Sequence, residues 1–322
     1  MTATRHHLGK FPPDNLDWAR LVPAIGRAHF AVAAYGAMLD SMPNTNVLIS
    51  PLATQEAVYS NRIEGTQTTL TQVLTFEADD NHPVDDPAKR RDAYEVVNYR
   101  DALNSAFRQM EQIPLSLRLI RDAHRTLMSG VRGQDKAPGE YRRIPDSVWI
   151  GPSGSTIENA DFVPCPVEHL PGAMDAWERF IHSDEPDPLV QLAIVHAEFE
   201  SIHPFLDGNG RLGRLIVPLF MVAKGLLDAP YFYISGYLDQ HRDEYYRRLQ
   251  AVSRDDGWTG WSEFFLKAVE EQANTNLARA GSILALYDEM KDWVPVGGGR
   301  RSWRLPLSSA WQRAPSRLRL ID

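Results

Sequence analysis

Apolar residues recur at helical spacing along most of the chain. Leu189, Leu192, Val195, Phe199 and Ile202 follow one such stripe, and Leu212, Leu215, Ile216 and Leu219 another. The pattern predicts a mainly α protein. A first helix is expected over residues 16–39, closed by a loop at Pro43-Asn44. Ser50 then offers an N-cap with Pro51 at the first helical position, so a second helix should run toward Asn61 and stop at Gly65. A short helix over 66–76, an acidic connector over 77–87, a long amphipathic helix over 88–112 and a further helix near 115–128 follow. Helices are expected again over 166–183, 188–202, 209–225, 239–253 and 258–290. One region reads as extended: Tyr141, Val148-Trp149-Ile150 and Phe162-Val163, broken by Gly151-Pro152-Ser153-Gly154, predict a β-hairpin over 139–164 that must lie on the helical body. No internal repeat is visible, and the stretch after Trp293 is rich in Gly, Arg and Ser.

Composition narrows the function classes. Of 322 residues, 43% are apolar and 24% charged, which is globular composition with length for two or three subdomains. The 42 acidic residues outnumber the 34 basic ones, and a net charge of −8 argues against a nucleic-acid backbone as the main partner. A single cysteine, Cys165, excludes an intramolecular disulfide framework and suits a reducing compartment. The first residues lack an apolar signal region, and the apolar run between Arg27 and Asp40 is shorter than the roughly 20 residues a bilayer needs. A soluble, cytoplasmic protein with no membrane partner is expected.

The chemistry concentrates in His203-Pro204-Phe205-Leu206-Asp207-Gly208-Asn209-Gly210-Arg211-Leu212-Gly213-Arg214. Pro204 disfavours α conformation at His203, so a helix should end there and leave the imidazole at the mouth of a loop. Gly208 and Gly210 permit close approach of a ligand, and Asn209 tolerates such geometry. The next helix starts at once, so its unpaired first-turn amides and its dipole make an anion nest. Arg211 and Arg214 share a helix face at i, i+3 beside that nest, which describes a site for a polyphosphate. Asp207 is placed to hold a Mg²⁺ that bridges phosphate oxygens, and His203 can take a proton near neutral pH. No G-x-x-x-x-G-K-[ST] loop is present, so nucleotide chemistry here is not of the P-loop type.

These residues resemble the signature of Fic-domain proteins, His-x-Phe-x-(Asp/Glu)-Gly-Asn-Gly-Arg-x-x-Arg, at every fixed position. Eight such matches would coincide by chance on the order of once in ten billion windows. The resemblance implies an all-α fold: a Fic helical core with a small β-hairpin flap and an N-terminal helical subdomain. It also implies transfer of AMP from Mg·ATP to a Ser, Thr or Tyr hydroxyl of a protein, which can be the enzyme itself. On that basis His203 is the general base and Asp207 the Mg²⁺ ligand, while Gly208, Asn209, Gly210, Arg211, Leu212, Gly213 and Arg214 contact ATP.

Ser60-Asn61-Arg62-Ile63-Glu64-Gly65 resembles the family's inhibitory motif in the class whose inhibitory helix precedes the core. Glu64 also faces the wrong end of its own helix dipole, a local violation that often marks a tertiary role. The resemblance implies that Glu64 pairs with Arg214 and blocks productive ATP binding. It further places Val148, Trp149 and Ile150 on a flap that binds the target, and Tyr246 in the adenine pocket. The division implied is an N-terminal region over 1–112 with the inhibitory helix at 50–65, a catalytic core over 113–292 with the flap at 139–164, and an irregular tail over 293–322. A homodimer is compatible with it. Two other readings stand beside AMP addition: removal of AMP, or transfer of another phosphate-containing group, on the same fold. A third is a metal-dependent hydrolase using His196, Glu200 and His203 at i, i+4 and i+7 with Asp207 behind them.

Overall fold

The computed structural model describes residues 3–78, 87–143, 148–152 and 154–293. The first half is helical after one short strand: β1 (Thr4–Arg5), α1 (Trp18–Ser41), α2 (Thr45–Ile63), α3 (Leu70–Ala78), α4 (Pro87–Met110) and α5 (Leu117–Leu127). Then come β2 (Phe162–Val163), a 3-10 turn at Val167–His169, α6 (Leu170–His182), α7 (Pro188–Ile202), α8 (Asn209–Ala223), α9 (Ser235–Gln240), α10 (Arg242–Asp255) and α11 (Trp258–Trp293). Residues 1–284 gather into one compact unit, and the end of α11 from Ala285 belongs to a second. No described helix is long and apolar enough to cross a membrane.

The core is built around α7. Asp187 caps it by accepting from the amides of Leu189 and Val190 at 3.0 and 2.9 Å, with Pro188 in the first turn where its missing N–H costs nothing. Nearly every α7 side chain is buried, so its neighbours α1, α6, α8 and α10 cover it on all sides. Two indoles clamp it, with Trp177 donating to the Val195 carbonyl at 2.8 Å and Trp261 to that of Ala193 at 2.7 Å. Each fully buried Leu, Ile or Phe of this core contributes about 1.5–3 kcal/mol by leaving water. Helix α2 packs against α4, α8 and α9, which sets it beside the start of α8.

Two expectations are corrected and a third is extended. Helix α2 begins at Thr45 after a left-handed Asn44, not at Ser50, and Pro51 lies inside it. Buried Ile49 and Leu52 carry the apolar face across Pro51, whose ring is exposed, so packing overrides the local start signal. The helix expected over 239–253 is two helices broken at His241, whose ring stacks on Tyr237 with centroids 4.0 Å apart. The hairpin over 139–164 is, among the described residues, a single antiparallel bridge between Ile150 and Phe162. Phe162 thus meets Ile150 as the expected hairpin requires, and Phe162-Val163 pairs in addition, in parallel, with Thr4-Arg5 near the start of the sequence. Parts of the expected connector (79–86), of the flap (144–147 and 153) and the tail from 294 lie outside the described residues.

Candidate active site

Helix α7 ends where Pro204 requires it: His203 is left-handed, with φ 53°. The reversal is held by Arg142, whose guanidinium donates to the carbonyls of His203 (2.7 Å), Ile202 (3.1 Å) and Cys165 (2.9 Å). The loop that follows is closed by Asn209, whose side chain accepts from the Phe205 amide at 2.9 Å and donates to the Phe205 carbonyl at 2.8 Å. Asn209 therefore shapes the nest with its side chain, and only its backbone amide is left to face a ligand. Gly208 is left-handed at φ 78°, and a Cβ there would lie 2.7 Å from Met128 Sδ, so no other residue fits without a shift.

His124 of α5 supports the loop from below. Its Nδ1 accepts from the Gly139 amide at 2.8 Å, so Nε2 carries the proton and donates to the Asp207 carbonyl at 2.9 Å. Its ring stacks on Phe205 at 3.8 Å, and burial pulls it down to about 4, which keeps it neutral. His203 is half-buried, with Nδ1 sealed from water and without a hydrogen-bond partner. Burial, with the Arg142 guanidinium adding to it, pulls its imidazole down to about 4.

Asp207 remains partly open to water. One carboxylate oxygen accepts from the Gly208 amide at 2.7 Å, and the other lies 3.1 Å from Lys136 Nζ. The two arginines are buried rather than solvated. Arg211 reaches Glu95 at 3.4 Å and Asp207 at 3.6 Å, yet its Nε and Nη1 make no hydrogen bond. Arg214 donates from Nε to Ser60 Oγ at 2.9 Å, and from Nη2 to the Ser60 carbonyl at 2.9 Å and to Glu64 Oε1 at 2.7 Å. Partial burial works to raise the Glu64 carboxyl, but Arg214 outweighs it and holds it below the usual carboxylate range. A Cβ on Gly210 would run into Glu64 Oε1, so the carboxylate lies directly against the first turn of α8. Leu212 is core, and Gly213 leaves room for Glu200 Oε1.

Tyr246 stands over a cavity of about 350 Å³ lined by Ile150, Phe162, Glu200, Ser201 and Arg242. Its neighbour Tyr245 is buried core. Val148 and Ile150 are half-buried, whereas Trp149 is exposed and donates to the Ser155 carbonyl at 2.9 Å. Glu200 is half-buried, with its Oε1 sealed and without a hydrogen-bond partner, and desolvation pushes it up to about 7. Because its folded value exceeds its unfolded one, the native state holds a proton that is lost as pH rises toward 7, and stability falls with it. Glu200→Gln is therefore expected to raise Tm by about 5 °C at pH 8 and hardly at all at pH 5, read by thermal melts at both pH values.

The hydrolase alternative does not survive this geometry. Both nitrogens of His196 are engaged inside the core, Nδ1 donating to the Gly213 carbonyl at 3.1 Å and Nε2 bonded to the Tyr245 hydroxyl at 2.9 Å. His203 has already left the helix, so the three side chains do not converge on an ion. Sequence reasoning missed Glu95, His124, Lys136 and Arg142. None sits in a motif, and each acts on the loop or its arginines across long stretches of chain.

Comparison with known proteins follows the same division. A family model described as Fic/DOC family N-terminal matches residues 22–108, spanning most of α1 through α4, and the Fic/DOC family model matches 114–221, from α5 into α8. The chain belongs to the Fic/DOC family. It is 30% identical over 109 residues to a probable protein adenylyltransferase of Aquifex aeolicus, covering 31% of this chain and 34% of that one. It is 28% identical over 150 residues to the protein adenylyltransferase Fic of Drosophila yakuba, covering 46% of this chain and 26% of that one. The chain thus matches 26–34% of the length of these relatives. Among solved structures, a Fic family protein from Desulfovibrio desulfuricans G20 aligns with TM-score 0.65 and 22% identity, covering 90% of this chain and 99% of that one. Fic-1 of C. elegans aligns with TM-score 0.58 and 20% identity, covering 86% of this chain and 74% of that one. These likenesses show the fold, an all-α Fic core.

Proposed function

We propose that this Fic/DOC protein transfers the AMP moiety of Mg·ATP to a Ser, Thr or Tyr hydroxyl of a protein, and that Glu64 holds it in check. The observation that carries the reading is the single turn from His203 to Arg214, which gathers an imidazole, a carboxylate, first-turn amides of α8 and two buried guanidiniums. The relatives named protein adenylyltransferase support it.

In this mechanism the amides of Gly208, Asn209 and Gly210 and the positive end of α8 receive the phosphates. Arg211 adds a buried cation whose Nε makes no hydrogen bond. Asp207 suits Mg²⁺ as a hard, partly exposed carboxylate of the kind that ion takes together with substrate phosphates. When bound, the ion would offset phosphate charge, and Lys136 would yield one Asp207 oxygen to it. The target hydroxyl oxygen bonds to the α-phosphorus, the bond to the α–β bridging oxygen breaks, and pyrophosphate departs with that electron pair. The hydroxyl proton passes to His203, whose neutral imidazole is ready to accept it at pH 7. The cavity under Tyr246 would take the adenine, and Val148-Trp149-Ile150 would pair with an extended target segment.

The test is incubation of the full chain with Mg²⁺ and ATP labelled at the α- or the γ-phosphate. Label from the α-position retained on protein, with a mass gain of one AMP, is expected. Transfer of γ-label, or release of AMP from a pre-labelled protein with no addition, would replace this reading with phosphoryl transfer or AMP removal.

A further inference from the structure

We propose that His6, His7 and Glu198 form a zinc site that pins the N-terminal segment to α7. The pairing of β1 with β2, extended by the His6 amide donating to the Val163 carbonyl at 2.9 Å, lays the two histidines on α7. Their rings are stacked, 4.7 Å between centroids and 23° between planes, so both Nε2 atoms face one carboxylate. His6 Nε2 lies 3.3 Å from Glu198 Oε1, and His7 Nε2 lies 2.7 Å from Oε2. All three side chains are sealed from water, at 4%, 1% and 2% exposure.

One contact in particular suits an ion at this cluster. His7 Nδ1 is 2.7 Å from Ser253 Oγ, the outer hydrogen bond that fixes ring orientation in metal-bound histidines. Two imidazoles and a carboxylate are a donor set for zinc, which takes them at about 2.0–2.2 Å. The three ligand atoms already lie within 4.8 Å of one another, and small side-chain rotations bring them to that distance. The site uses no residue assigned above to ATP, and Glu198 stands five positions before His203 on the same helix.

Purified full-length chain, stripped with chelator and reloaded with ZnCl₂, should keep about one zinc per chain through gel filtration. Its Tm should rise by about 5 °C at a hundredfold excess over Kd. His6→Ala/His7→Ala should lose the zinc and the Tm response, while His203→Ala keeps both. His6→Gln, which leaves His7 in place, should weaken retention at least tenfold and serves if the double variant does not fold. Zinc absent from wild type, or retained equally by the His6 and His7 variants, overturns the proposal.

Discussion

His203→Ala is expected to lower AMP transfer by about 10²–10⁴-fold, the usual loss when a positioned general base is removed. The fold should tolerate the change. The Nδ1 atom gives up no hydrogen bond, and the left-handed backbone at φ 53° is held from outside by Arg142 and Pro204. Far-UV dichroism and Tm should therefore stay close to wild type while α-label incorporation collapses. The same residue sets a pH signature. An ordinary imidazole would lose its basic form below about 6.5. Burial and Arg142 depress His203 to about 4, so the acid limb of kcat/KM belongs near pH 4. Glu64 and Asp207 are among the charges that hold the imidazole up, so removing Glu64 moves the limb lower still. A limb at 6.5 in the active variant, or an Ala variant within threefold of its parent, would remove His203 from the role of base.

How much of this was legible in the sequence depended on where each residue's partner lies. The end of α7 was readable because His203-Pro204 acts locally, through a barred conformation, and the observed helix is Pro188–Ile202. The start of α2 was not, because the burial of Ile49 and Leu52 outweighed the Ser50-Pro51 signal. The antiparallel pairing of Ile150 with Phe162 was readable, but the second pairing of that strand was not, for a related reason. Phe162-Val163 has extended propensity, but its parallel partner is Thr4-Arg5, and no local pattern announces a pairing of that range. Within the site the motif residues were found together, yet their states were not. Arg211 and Arg214 read as phosphate ligands, but nothing local showed that both are buried, or that Asn209 spends its side chain on Phe205. Lys136 on Asp207 and His124 beneath it arrive from 71 and 83 positions away, where only packing could have revealed them.

Glu64→Gly is expected to raise self-labelling or target labelling by about 10–100-fold. The estimate follows from the contact being removed: a hydrogen bond between charged groups contributes about 1.5–3 kcal/mol, and each 1.4 kcal/mol is a factor of ten. Arg214 keeps its two contacts to Ser60, so the guanidinium stays in place while its Nη2 becomes available to phosphate. The space beside Gly210 that the carboxylate fills is vacated as well. Mild acid should not mimic the variant. Arg214 holds the Glu64 carboxyl low, so the ion pair persists above the ordinary carboxylate pKa and is lost only as pH falls beneath it. Glu64→Gln, which keeps the bulk and drops the charge, should activate less than Gly, because the amide oxygen still reaches Arg214 but the space stays filled. Adding His203→Ala to Glu64→Gly must abolish the gain, which ties activation to the same imidazole. Unchanged labelling in Glu64→Gly, alongside unchanged ATP affinity, would make the 2.7 Å contact a structural ion pair and not a plug.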